Sequence, residues 1–126
     1  MFTHVMVGAD DIQASRKFYD AALGALGVAP GTEDPKGRVW WRTDKGNFAI
    51  TNPIDGEQAS CANGGTIGFA APSPEAADAF HAAGLAHGGT AIEDPPGRRE
   101  SPFGALHLAY LRDPAGNKVC AMFRLK

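Results

Sequence analysis

The side chains most able to do chemistry near neutral pH, His4 and Cys120, lie near opposite ends of the chain, each inside a short apolar stretch. An imidazole exchanges protons around pH 7, and a thiol attacks or ligates only as its thiolate. These two are the candidate catalytic residues, and they act together only if the fold joins them across a cleft. The competing readings are a buried, hydrogen-bonded histidine and a small apolar side chain on a central strand. Trp40 and Trp41 are adjacent, so on a strand they point to opposite faces. One packs beneath a helix while the other borders a cleft and stacks on a planar ligand, with the register leaving open which is which. Phe48, Phe103 and Tyr110 extend such an apolar wall. Arg98 and Arg99 lie in the Pro95 to Pro102 segment, read as a loop closing over the cleft mouth, where a guanidinium fork suits a carboxylate or phosphate. His81, His87 and His107 show no partner spacing and are assigned to surface or core; His107 and Tyr110, three apart on one strand, cannot share a face. Cys61 and Cys120 form no C-x-x-C unit, so no zinc knuckle, redox pair or disulfide framework is implied.

The elements that must position these residues follow from periodicity. Thr3 to Val7, closed by Gly8, reads as a strand. Asp10 or Asp11 caps a helix, with Gln13 placed as in a capping box after Asp10. Ile12, Ser15, Phe18, Tyr19, Ala22, Leu23 and Leu26 then recur at helical spacing up to Gly24 or Gly27. Strands are expected at Val28 to Glu33, Arg38 to Thr43 and Asn47 to Thr51. A Pro/Gly/Asn/Ser-rich connection follows. The order then restarts with a strand at Thr66 to Ala70 and a helix capped by Ser73, with Pro74 first, running to about His87. Strands at Thr90 to Asp94, Leu106 to Leu111 and Lys118 to Phe123 complete it, the last two joined by the turn Asp113 to Asn117.

Sliding the chain by 62 positions superposes Ala9 on Ala71, Phe18 on Phe80, Leu23 on Leu85 and Gly27 on Gly89. Gly46-Asn47 falls on Gly116-Asn117 at an offset of 70. Two copies of one β-α-β-β-β unit account for this. The expectation is an α+β single domain over 1–126, with module 1 at about 1–52, a linker at 53–63 and module 2 at about 64–126. The modules form a curved mixed sheet around a cleft. Alternation assigns Val5, Val7, Ile67, Phe69, Val119, Ala121 and Phe123 to the helix side. His4, Met6, Gly8, Thr66, Gly68, Ala70, Cys120 and Met122 line the cleft.

Composition excludes several partners. The net charge is -2, and the largest basic cluster is Arg98-Arg99, which offers no track for nucleic acid. Apolar runs are far too short to span a bilayer, so neither membrane nor nucleic acid is an expected partner. The charged start does not read as a signal peptide, and a soluble, cytoplasmic chain is expected.

Three segments in order, HVMVGADDIQASRKFYDAALG, GGTIGFAAPSPEAADAF and YLRDPAGNKVCA, resemble the vicinal oxygen chelate superfamily of glyoxalase I, bleomycin and fosfomycin resistance proteins and extradiol dioxygenases. The resemblance implies a doubled scaffold whose metal-dependent members carry ligands on the first and last strand of each unit. Transferred residue by residue, those positions are His4, Ala49 (or Ile50), Thr66 and Cys120, a degenerate set. The resemblance therefore implies no cofactor and no metal, and a protein, paired as a homodimer, that binds a small apolar or aromatic molecule through Trp40, Trp41, Phe48, Thr66, Arg98, Tyr110 and Met122. The alternatives are a metal-dependent lyase or dioxygenase with an altered ligand set, using His4 and Cys120, and a structural dimerisation module.

Overall fold

The computed structural model describes residues 1–125. Both helices start where side-chain chemistry dictates. Helix α1 spans Ile12–Gly24, and its cap is Asp11, whose carboxylate accepts the Ala14 N–H at 3.0 Å. The neighbouring Asp10 instead accepts the Ala59 N–H at 2.8 Å, tying the linker to the start of the helix. Helix α2 spans Pro74–Ala86, with Ser73 Oγ accepting the Ala76 N–H at 3.0 Å and Pro74 in the first turn, where no amide hydrogen is needed. The buried stripes are Ser15, Phe18, Tyr19, Ala22 and Leu23 on α1, and Ala77, Phe80 and Gly84 on α2.

The strands are β1 His4–Gly8, β2 Thr32–Glu33, β3 Val39–Thr43, β4 Gly46–Thr51, β5 Ile67–Ala70, β6 Thr90–Ala91, β7 Gly97–Ser101, β8 Gly104–Arg112 and β9 Lys118–Arg124. They form two mixed sheets, ordered β1-β4-β3-β2 and β5-β9-β8-β6, with β7 paired to β8. In each, the first strand runs parallel to the last. Three expectations are corrected. The strand read at 28–33 shrinks to two residues because side chains hold the backbone there: Gly31 N–H donates to Asp20 at 2.8 Å, and Arg16 donates to the Gly31 carbonyl at 2.7 Å. The strand read at 90–94 stops at Ala91, and Glu93 lies in the left-handed region at φ 60. The Pro95 to Pro102 segment is not a loop over a cleft; it contains β7, where Arg98 pairs across from His107. Its run of charged residues is what an edge strand tolerates.

The helix-side residues of both sheets enter one core, in which Phe18, Tyr19, Trp41 and Ile50 meet Phe80, Leu111 and Val119. Phe48 and Phe69, one from each sheet, make an edge contact at 5.1 Å between ring centroids. Two glycines permit the close approach of the halves. A Cβ on Gly84 would sit 2.4 Å from Leu111 Cδ1 and 2.9 Å from Phe18, and one on Gly89 would sit 2.5 Å from Phe18. A buried polar knot completes the join. Tyr19 donates to Asp113 at 2.6 Å, Asp113 also accepts the Ala115 and Asn117 amides, and the Asn117 side chain donates to Asp113 and to the Gly8 carbonyl.

Burial, then the Asp113 charge and the hydrogen bond to it, push the Tyr19 hydroxyl well above its ordinary value. The bond's stabilisation is therefore fully present below about pH 10 and is lost as pH rises through the higher folded value. Tyr19→Phe is expected to lower unfolding free energy in urea by about 1–3 kcal/mol at pH 7 and to flatten the alkaline decline. Asp113→Ala, which strands several donors, is expected to cost more than Tyr19→Phe.

Candidate functional site

Because paired residues on neighbouring strands share a face, the register places side chains on the surface that the helices leave uncovered. On the first sheet, His4 pairs with Asn47 and Asn47 with Arg42, making one polar row across three strands. Beside it Met6, Ala49 and Trp40 form an apolar row. Trp40 is the outward tryptophan; Trp41 is buried on the helix side, donating to Asp20 at 2.9 Å. Trp40 Nε1 donates to Asp34 at 2.9 Å, its ring lies 5.6 Å from the His4 ring, and the Arg42 and Arg38 guanidiniums stand 4.8 and 5.6 Å from its centroid. His4 Nδ1 meets the Thr3 hydroxyl at 2.9 Å. Desolvation pushes the Asp34 carboxyl upward, but hydrogen bonds from Trp40, Arg38 and Lys36 outweigh it and hold the group at about 2.

On the second sheet the outward face carries Gly68, Cys120 and Tyr110 in one row and Ala70, Met122 and Leu108 in the next. The Lys118 ammonium stands 5.0 Å from the Tyr110 ring centroid and pairs with Glu93. Burial drives the Cys120 thiol up to about 11, Lys118 pulling it down and Glu93 pushing it up. Cys120 is thus a neutral thiol at pH 7 and a poor nucleophile.

The pairings also settle how the modules correspond. Met6 and Ala49 occupy the places of Gly68 and Cys120, and Trp40 that of Tyr110. The turn linking Arg112 to Lys118 is one residue longer than that linking Arg42 to Asn47, so the strand after it slips by one relative to the Gly-Asn match. Ala49, not Ile50, is therefore the outward residue. Among the four positions where metal-dependent relatives carry ligands, only His4 is a good donor. Ala49 has no lone pair, Thr66 is an exposed neutral hydroxyl just before β5, and Cys120 lies on the other sheet from His4. Among the described residues no group of three His, Cys, Asp or Glu is placed to hold a metal ion. These residues do not fit the family's metal centre.

The remaining candidates are dispersed. His4 and Cys120 sit on different sheets, and no hydrogen bond or ion pair joins them among the described residues. Arg98 pairs with Glu100 on β7, Phe103 is exposed at the β7–β8 turn, and His107 turns toward α2 to meet Asp78 at 2.8 Å. A hollow of about 730 Å³ opens between the modules, lined by helix-side residues such as Leu23, Leu26, Trp41, Phe48 and Phe69 and also by His4 and Asn47. Thr66, Tyr110, Met122 and Cys120 do not line it. Sequence reasoning missed Asp34, Arg42 and Asn47 as neighbours of Trp40. The alternation of Trp40 with Arg42 along one strand was the available signal.

The chain belongs to the Glyoxalase/Bleomycin resistance protein/Dioxygenase superfamily, whose model matches residues 1–121. A glyoxalase/bleomycin resistance protein from Albidiferax ferrireducens is 57% identical, with a TM-score of 0.96, covering 98% of this chain and 99% of that one. A glyoxalase-related enzyme from Fulvimarina pelagi shares the fold at 17% identity and a TM-score of 0.74 over 98% and 88% of the two chains. A lactoylglutathione lyase from Agrobacterium tumefaciens does so at 21% and 0.65 over 97% and 92%. No curated protein matches the sequence. No helix among the described residues is long and apolar enough to cross a membrane.

Because the Asp34 carboxyl is depressed in the folded state, its hold on Trp40 is present above about pH 4 and lost as pH falls through about 2. In a Trp41→Phe background, Trp40 emission is expected to be flat from pH 8 to 4 and to change only near pH 2, a transition absent from Asp34→Asn. A thiol reagent at pH 7.5 is expected to label exposed Cys61 rapidly and Cys120 only on unfolding.

Proposed function

We propose that this protein binds a small, planar, largely apolar molecule on the outward face of its first sheet and does so without a metal ion. The observation that carries this reading is Trp40. It is a large aromatic side chain left partly open to solvent, yet fixed by a hydrogen bond at its edge and by two guanidiniums near its ring. An indole so held offers a stacking surface whose ordering cost is already met before a ligand arrives. The half-buried Met6 gives an apolar surface in the same row, and His4 and Asn47 give polar anchors. Ligand sites generally combine such a surface with a few placed polar groups.

One sheet face is open on one side. The second sheet presents another face of similar character, with Tyr110, Leu108 and Met122, and both sheets have an unpaired edge strand, β1 in one and β5 in the other. We propose that a second copy of the chain supplies the opposite wall, giving a homodimer with composite clefts. The four degenerate ligand positions lend no support to a metal-dependent lyase or dioxygenase, and the open Trp40 face lends none to a purely structural dimerisation module.

Light scattering on eluted protein is expected to give twice the 13.2 kDa chain mass. N-phenylnaphthylamine, a neutral planar fluorophore, is expected to bind the wild type. Trp40→Ala is expected to weaken it at least tenfold, while Trp41→Phe changes affinity less than threefold. Unchanged binding by Trp40→Ala contradicts this placement.

A further inference from the structure

We infer that the ligand of the Trp40 face carries a carboxylate, received by the row Arg42, Asn47 and His4. This rests on the planar-ligand reading above and adds the ligand's charge. Arg38 is bonded to Asp34, Arg98 to Glu100, Arg16 to the Gly31 carbonyl, Arg99 to the Asp94 and Pro95 carbonyls, Arg112 to that of Gly116 and Arg124 to that of Phe103. Arg42 alone has no acceptor among the described residues. Its charge instead lies over the Trp40 ring, 4.8 Å from the centroid.

A guanidinium carries five N–H donors in a rigid fork that fits a carboxylate in two parallel bonds. Here the fork is positioned by the indole and its hydrogen-bonding capacity is unspent. The flanking groups suit the same guest. Asn47 accepts the Thr43 N–H through its Oδ1 at 3.2 Å, which leaves its amide N–H groups as donors toward the row. His4, whose Nδ1 meets Thr3, has a second ring nitrogen without a partner among the described residues. Of the two carboxylates nearby, Asp34 already accepts from Trp40 and Arg38, and the exposed Asp44, in the turn between Arg42 and Asn47, makes no ion pair with Arg42 among the described residues. A planar ring beside Trp40 therefore sets an anionic substituent against the Arg42 guanidinium and the Asn47 amide, with the His4 ring next to them.

The test compares naphthoate with naphthamide, equal in shape and different in charge, by displacement of N-phenylnaphthylamine. In the wild type the acid is expected to bind at least tenfold tighter than the amide. Arg42→Gln is expected to remove that preference, weakening the acid at least tenfold more than the amide, and Lys45→Gln, a nearby exposed cation, to leave the preference intact. Equal binding of acid and amide by the wild type overturns the carboxylate inference and leaves the planar-ligand reading standing. A preference that survives Arg42→Gln overturns the assignment to this row. If Arg42→Gln also loses the amide, Arg42→Lys decides: the inference requires it to restore part of the acid preference, and failure to do so overturns it. Failure of the wild type to bind the fluorophore or either compound overturns both readings.

Discussion

The buried carboxylate of Asp113, 3% exposed, is the constraint on which the rest of the structure depends. A carboxylate removed from water is costly unless hydrogen bonds replace the lost hydration. Four donors do so: the Tyr19 hydroxyl, two amides of its own turn, and the Asn117 side chain. Tyr19 belongs to the first module's helix, and Asn117 reaches on to the carbonyl that ends the first module's opening strand. One charged group in the second module thereby fixes both principal elements of the first. Around it the helix-side faces of the two sheets close into a single core, with glycines at 84 and 89 admitting Phe18 where any larger residue would collide.

That closure leaves two kinds of open surface, the hollow between the modules and the outward face of each sheet. Once the helix sides are joined, the other face of each sheet is left for something outside the core. The first sheet's face is organised around an indole whose edge, ring and neighbours are all engaged. The second sheet's face holds a thiol that burial keeps protonated. The repeats differ on these faces: Trp40 stands where its counterpart is Tyr110, and Arg42 has no acceptor among the described residues where Arg112 is spent on a turn carbonyl.

Much of this was legible in the sequence because the signals were local. Asp11 and Ser73 as caps, the buried helical stripes, the duplicated order of elements and the opposite orientation of Trp40 and Trp41 all follow from spacing alone. What was hidden depended on contacts between distant segments. The strand read at 28–33 dissolves because Asp20 and Arg16, on the helix before it, claim the Gly31 backbone. The segment at 95–102 becomes a strand because β8 is long enough to pair with it. The one-residue slip that settles Ala49 over Ile50 comes from a longer turn that leaves the Gly-Asn match undisturbed. The partnership of Trp40 with Asp34 and Arg42 needed the register of three strands, and the sharing of one core by both sheets needed the Tyr19–Asp113 bond, whose partners lie far apart in the chain.

The most direct measurement is an amide and indole chemical-shift map of isotope-labelled protein titrated with naphthoate. The account requires the largest perturbations at the Trp40 indole N–H and the backbone of Trp40 and Arg42, which do not line the hollow between the modules. Perturbations concentrated instead on Leu26, Val28 and Phe69, around the hollow between the modules, would contradict it.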